Sequence, residues 1–312
     1  MTVLLIVLPT FALILAGFGF ARLRRLGEEV VTSLNLYVVW LALPALLFDF
    51  LAEAKWATLD QPRFVAVFAA GMVATFVLSL LLTPALARRG PRPLARRSLD
   101  ALTGSYSNTA YMGVPIASAL LGDTGLAAAV IASLLTVCAL FALSITLVEV
   151  DLARGSGTGG AIGRVAVSVM CNPLVAAPLA GAAWAATGVA VPAAASGVLK
   201  MLAASATPVA LVTIGVFLAQ RRSRGEPVEL GAAVLLKLVA QPLLTLLALL
   251  LMPLAPPWRA AALLLAALPT GTGPFMVAQL YGQEVTLAAR ATLVSTVLSF
   301  LTVGALAWWV TG

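Results

Sequence analysis

The sequence contains no histidine, so no mechanism that needs imidazole as base, proton relay or metal ligand is open to it. It has two cysteines, Cys138 and Cys171, which leaves no disulfide or metal framework; both are expected to be packing residues. Charge is scarce as well. Only 10% of the residues are charged against 62% hydrophobic, with a mean hydropathy of +1.06, where a soluble domain carries about 25% charged residues. The chain therefore reads as a polytopic membrane protein whose standing partner is the lipid bilayer. No G-x-x-x-x-G-K-[ST] loop is present, so ATP does not drive it directly. No cofactor is implied.

What is there is apolar sequence in long runs. Windows of roughly 20 residues give ten spans, at 3–21, 30–51, 63–87, 99–121, 125–149, 165–187, 193–219, 229–252, 258–281 and 285–310. The first run has no basic residue before it and Arg22, Arg24 and Arg25 after it, the reverse of a signal peptide, so it is kept as a span. The net charge of +7 is not read as nucleic-acid binding, because the basic residues cluster between spans. Loops after odd-numbered spans hold Arg22, Arg24, Arg25, Arg88, Arg89, Arg92, Arg96, Arg97, Arg154, Arg164, Arg221, Arg222 and Arg224, and the other side holds Lys55, Arg63 and Arg259. Thirteen against three places both termini outside the cytoplasm. The short loops and the Ala, Arg, Leu and Gly richness suggest a bacterial inner membrane.

Ten spans divide into a first repeat, 1–150, and a second, 165–312, joined by the short flexible cytoplasmic linker 151–164. With five spans each, the halves must be oppositely oriented, which makes the repeat inverted.

Two spans are interrupted in corresponding places. In 104–122, Ser105, Ser107, Asn108 and Thr109 precede Gly113 and Pro115; Pro115 removes a donor and clashes with the carbonyl of Tyr111, so the helix is expected to kink or unwind between Asn108 and Pro115. In 266–282, Pro269 and Pro274 bracket Gly271 and Gly273, with Thr270 and Thr272 between them. Setting Gly122 against Gly282 brings Pro115 within one residue of Pro274. The second and seventh spans match more weakly, around Pro44 and Pro208. Unwound backbone at membrane depth is tolerated where it lines a protein-enclosed cavity, and paired interruptions in two halves point to a transporter site.

The segments SNTAYMGVPIASALLG and ALPTGTGPFMVAQLYG, with LNLYVVWLALPALLF, CNPLVAAPLAG, PVALVTIGVFLA and KLVAQP, resemble those of auxin efflux carriers of the PIN type and their bacterial relatives, which include malonate and malate transporters. The likeness covers essentially the whole chain. It implies an all-α fold of ten transmembrane helices in two inverted five-helix repeats, the fourth and ninth helices broken and crossing at their prolines. It also implies a bound anion beside that crossing, elevator-type movement and a homodimer. The long hydrophilic central loop of the plant carriers is missing. So is any acid or base between Phe64 and Ala87, where those carriers have a charged pair.

Asn108 is the first site candidate: an amide beside a break can donate to a carboxylate, and the resemblance puts the substrate-binding Asn in this NT motif. The other reading is that it satisfies backbone freed by Pro115, and both can hold at once. Ser107 and Thr109 either face substrate or back-bond to their own helix. Thr270, Gly271, Thr272 and Gly273 would border the same space, and Thr272 stands where the plant carriers have an apolar contact, which suggests a smaller or more polar substrate than an indole acid. Leu43, Asn172 and Gln279 complete the substrate-side set, Asn172 read as a helix cap or a cavity-facing donor at the start of the sixth span. Gly113, Pro115, Pro269 and Pro274 build the crossing. Lys237 and Gln241 are candidates for charge or coupling. An intramembrane lysine costs about 2.5 to 3.5 kcal/mol on insertion scales, and Lys237 is either functional or a snorkelling anchor; Gln241 is either a coordinating group or an interhelical hydrogen-bonding one.

The expected activity is secondary transport of a small organic anion, mono- or dicarboxylate, auxin-like or malonate/malate-like, and not an enzymatic one. A sodium-coupled carrier like the bile-acid symporters is the alternative, with neutral oxygens on Ser105, Thr272 and Gln279 but no acid beside the crossing. A rhomboid-like serine protease lacks its histidine, an aspartyl protease its facing aspartates, and a receptor or scaffold has no need of two broken helices.

Overall fold

A computed structural model describes residues 2–53, 60–86, 92–153, 161–220 and 226–311. Among the described residues the chain is helical, and its one β-contact is an isolated bridge. Residues 154–160 of the expected linker, and Lys55, Arg88, Arg89, Arg154, Arg221, Arg222 and Arg224 of the charge count, lie outside the described residues.

Proline decides much of the local structure. Helix α1 (Thr2–Arg24) is followed by α2 (Glu28–Tyr37), a π-turn at Val38–Ala42 and α3 (Leu43–Ala52). Pro44 stands two residues beyond that turn and cannot donate to the carbonyl of Trp40, so the helix widens there instead of closing a regular α-turn. The same device recurs at Thr109–Gly113 before Pro115 and at Leu236–Ala240 before Pro242. A further π-turn, Leu135–Ala139, has no proline after it. Pro208, the expected counterpart of Pro44, sits inside the continuous α10 (Ala193–Gln220). The match between second and seventh spans therefore holds in sequence and not in local backbone.

The remaining helices are α4 (Pro62–Leu86), α5 (Leu94–Ser105), α6 (Val114–Leu134), α7 (Leu140–Ala153), α8 (Ala161–Cys171), α9 (Pro173–Ala186), α11 (Pro227–Leu235), α12 (Gln241–Leu251), α13 (Pro256–Ala266), α14 (Gly273–Leu280) and α15 (Thr286–Thr311). Among the described residues six helical stretches are long and apolar enough to cross a membrane, and a seventh if the pair Val165–Cys171 and Pro173–Ala186 counts as one span. That pair is bent by 69°. The sixth span is thus broken in its middle at Asn172, where the sequence suggests a start. The stretch Thr109–Ala153 runs for 45 residues, merging the end of the fourth expected span with the fifth. Only Gly122 breaks it, at φ 58° and ψ −139°, a conformation that a residue with a Cβ rarely adopts.

The helices pack in two groups. In one, α10 lies along α1, α2 and α3, and α3 lies along α9. In the other, α4 packs on α5 and α12, α5 on α7, and α6 on α13. The groups meet where α7 touches α8 and α9, where α14 touches α2 and the Val38–Ala42 turn, and where α1 touches α15 and α6. The buried core runs through both, from Val38, Val39 and Ala42 to Leu102, Met112, Phe141, Leu264 and Phe275.

Candidate functional site

The two interrupted spans meet at their unwound residues. Helix α5 ends at Ser105, and Tyr106–Asn108 run extended before the helix resumes as a π-turn at Thr109. Helix α13 ends at Ala266, and α14 begins at Gly273. Between them Ser107 and Thr270 form the antiparallel bridge, with Asn108 N donating to Pro269 O at 2.9 Å and Gly271 N to Tyr106 O at 3.1 Å. Each break supplies the partner that the other lost, which is how irregular backbone is kept satisfied away from water. The crossing thus lies at Pro269 in the second half, but eight residues ahead of Pro115 in the first. Pro115 acts through the π-turn, in which Met112 N and Gly113 N both donate to Asn108 O, at 3.2 and 3.1 Å.

Asn108 is the central residue of an inverse γ-turn, φ −76° and ψ 56°, closed by Thr109 N to Ser107 O at 2.8 Å. Its side-chain amide has no hydrogen-bond partner among the described residues, so the reading in which it merely satisfies freed backbone is not needed: the γ-turn and Pro269 do that. The hydroxyls of Ser107 and Thr109 are buried and likewise unpaired. Neither back-bonds to its own helix.

The second break is filled differently. Thr270 Oγ1 donates to Thr103 O at 3.1 Å, and Thr270 N donates to Ser295 Oγ at 3.0 Å. Thr292 Oγ1 donates to Gly271 O and Thr302 Oγ1 to Ala267 O, each at 3.1 Å. A Cβ on Gly271 would sit 2.8 Å from the Tyr106 ring, and one on Gly273 2.6 Å from both Tyr106 and Phe141. Those two rings stack at 5.1 Å. Close approach of an aromatic pair accounts for both glycines. Gly113 likewise makes room for Leu265 and Leu268. Thr272 stands half-buried at the N-cap position of α14 without a side-chain capping bond, and Pro274 lies in the first turn of that helix.

Other candidates lie elsewhere. Leu43 is buried in the core beside Pro44. Gln279 does not reach the crossing; it lines a cavity of about 290 Å³ with Thr32, Gln220, Gln283 and Glu284, between α2, the end of α10 and the α14–α15 turn. Asn172 is a cap, accepting from Leu174 N at 3.0 Å, and its Nδ2 also donates to Tyr281 Oη at 3.1 Å. Tyr281 Oη donates in turn to Glu149 at 2.7 Å, so Glu149 is held by protein rather than by solvent alone. Lys237 does not snorkel. It is fully buried, and its Nζ donates to Ala266 O at 2.8 Å. Gln241, one turn on, is fully buried with both amide atoms unpaired.

The sequence reading passed over one charged cluster. Arg92 bridges Asp100, at 2.6 Å, and Glu229, while Arg96 Nε reaches Asp100 at 3.1 Å. Burial works against the Arg92 charge, but the carboxylates of Glu229 and Asp100 outweigh it and raise its hold on the proton. Arg92 counts among the orientation arginines in the sequence; the i, i+4 spacing of Arg96 and Asp100 was the available signal for the rest. Arg96 also donates to Glu284 O at 3.3 Å, and Ala95 N to Asp151 at 2.9 Å. These bonds gather the α4–α5, α7 and α14–α15 ends at one pole. The ion pair Lys200–Glu53, 2.8 Å and exposed, ties α10 to the end of α3 at the opposite pole.

The arrangement can hold a small anion without a metal: an unpaired amide and two unpaired hydroxyls beside freed backbone, next to the first turn of α14. Compared with known proteins, residues 2–156 and 161–306 match the family described as "Membrane transport protein". A Rhizobium meliloti (strain 1021) protein named "Putative malonate transporter" is 32% identical over 303 residues, covering 96% of this chain and 92% of that protein.

Proposed function

The chain belongs to the membrane transport protein family, and on that premise we propose that it is a secondary carrier moving a small organic anion by alternating access. The relative's name carries malonate, and a short dicarboxylate suits a site of this character: polar, tightly enclosed, with Thr272 adding a hydroxyl. The observation that carries the reading is the contact of two unwound segments at Ser107 and Thr270, with the buried hydroxyls of Ser107 and Thr109 left unpaired beside Asn108. In this reading Asn108 donates to a substrate carboxylate, Ser107 and Thr109 donate to its oxygens, and the N–H groups at the start of α14 add partial positive charge.

The movement is of the elevator type, with α4–α7 and α11–α15 travelling against α1–α3 and α8–α10. What supports this is the pairing of helices: α1 with α10, and α3 with α9, are the contacts a two-fold axis in the membrane plane would exchange between two inverted five-span repeats. Both termini then face the periplasm of a bacterial inner membrane, and the arginine-rich pole faces the cytoplasm. The carrier works as a homodimer.

The test is thermal unfolding of the purified protein with malonate, malate and indole-3-acetate, since a ligand that binds only the folded state raises the midpoint. A dicarboxylate-dependent rise that Asn108→Ala removes is expected, followed by counterflow of the same anion in proteoliposomes. A protein that no carboxylate shifts would end the anion assignment.

A further inference from the structure

Lys237 is the most deeply buried cation among the described residues, with no exposed surface, and it stands in the π-turn Leu236–Ala240. A buried ammonium is normally paired with a carboxylate, because an uncompensated charge in a low-dielectric interior is costly. Lys237 has no carboxylate partner among the described residues. Its bond is to a neutral oxygen, the carbonyl of Ala266 at 2.8 Å.

That oxygen is not an ordinary one. Ala266 is the last residue of α13, the half-helix that leads into the second break. The final carbonyls of a helix have no intrahelical donor and bear the negative end of its dipole. The charge on Lys237 is thus compensated by a helix end at the crossing. Gln241 follows one turn later on the same span, fully buried, its Oε1 and Nε2 both without partners. Among the described residues the ammonium's hydrogen-bond partner is the Ala266 carbonyl, and Gln241 stands one turn along the same span. No set of three His, Cys, Asp or Glu side chains is gathered among the described residues, so an external metal ion here would rest on neutral oxygens alone.

We propose that the Lys237 ammonium is a built-in cation, occupying the end of the α13 half-helix in the way a bound sodium ion would, so that this carrier needs no external cation. The part concerning anion affinity rests on the carrier reading above; the part concerning the cation does not. A tethered charge differs from a dissolved one in two respects. It cannot diffuse away, and it travels with the helices that hold it. The anion therefore meets a positive site whose occupancy is independent of the sodium concentration.

The first experiment needs no substrate. Thermal unfolding of the purified wild-type protein is compared in sodium chloride and in choline chloride at equal ionic strength, with Lys237→Ala and Lys237→Arg alongside. Wild type and Lys237→Arg are expected to unfold at the same midpoint in both salts. Lys237→Ala exposes the vacated carbonyl oxygen, and is expected to gain a sodium-dependent rise of about 3 °C at sodium well above its dissociation constant. A sodium-dependent rise in wild type, or none in folded Lys237→Ala, overturns the proposal. If Lys237→Ala does not fold, Lys237→Met is used in the second experiment, which measures malonate and monomethyl malonate binding in choline chloride. Lys237→Met should lose about tenfold in malonate affinity and less for the singly charged ester, while Lys237→Arg stays within about threefold of wild type. Equal affinities in Lys237→Met and wild type, or equal loss in Met and Arg variants, overturn it. If wild type binds neither anion, the carrier reading falls, and the salt comparison of wild type and Lys237→Arg still decides whether sodium has a place here.

Discussion

The two breaks are alike in sequence and unlike in how they are finished. Around the second, nearly every freed group is taken: Thr270 by Thr103 and Ser295, Gly271 O by Thr292, Ala267 O by Thr302, Ala266 O by Lys237. Around the first, the backbone is closed by the γ-turn and by Pro269, but Asn108, Ser107 and Thr109 keep their side chains unpaired. A buried polar group without a partner costs about 1–3 kcal/mol. A fold that saturates one break and leaves two such hydroxyls beside Asn108 at the other separates a fixed wall from a face reserved for something else.

That asymmetry can be broken by substitution. The largest effect is expected from Asn108→Ala, which should abolish uptake in proteoliposomes and reduce affinity at least about tenfold, the worth of one hydrogen bond to a charged group, with the unfolding midpoint unchanged or raised. Next comes Gly271→Ala. Its Cβ would press on the Tyr106 ring at 2.8 Å, and overpacking of this kind costs about 1–3 kcal/mol, so the midpoint should fall by several degrees whether or not substrate is present. Ser107→Ala and Thr109→Val should each weaken binding about three- to tenfold without lowering stability, read by titration calorimetry. The smallest binding effect belongs to Thr270→Val, which loses one internal hydrogen bond worth about 1 kcal/mol and should lower the midpoint slightly while leaving affinity within about twofold. A Thr270→Val variant that lost affinity while Ser107→Ala kept it would reverse the roles of the two breaks.

The architecture was legible because its causes are local. Pro115 and Pro269 mark interrupted helices because Gly113 and Gly271 stand close beside them, whereas Pro208 has no glycine so near and lies in a continuous helix, and Gly122 and Gly282, set against each other in the sequence, both take positive φ, 58° and 61°. Asn108 was legible for the same reason, as an amide beside a proline-driven break. What stayed hidden depends on partners far along the chain. Nothing near Thr270 foretells that Thr103 and Ser295 will claim it, and nothing near Gln279 places it on a separate cavity with Thr32 and Gln220. Lys237 read equally well as an anchor, since its distance from the span end permits snorkelling; only the neighbouring helix end draws it inward. Glu229 and Asp100 were lost among span boundaries, where a carboxylate is ordinarily hydrated.

The π-turns bear on how this sequence tolerates change in length. A π-turn carries one residue more than an α-helix would place in the same rise, and each residue rotates a helix by about 100°. Deleting Val239 would let the span wind regularly through Pro242 and turn Gln241 and Thr245 by that angle relative to Lys237. The same holds for Val39 before Pro44 and for Ala110 before Pro115. Single-residue deletions at these places should alter which face meets the neighbouring helices while leaving both ends of the span in the membrane, so the angular register of the carrier is written in the width of these turns.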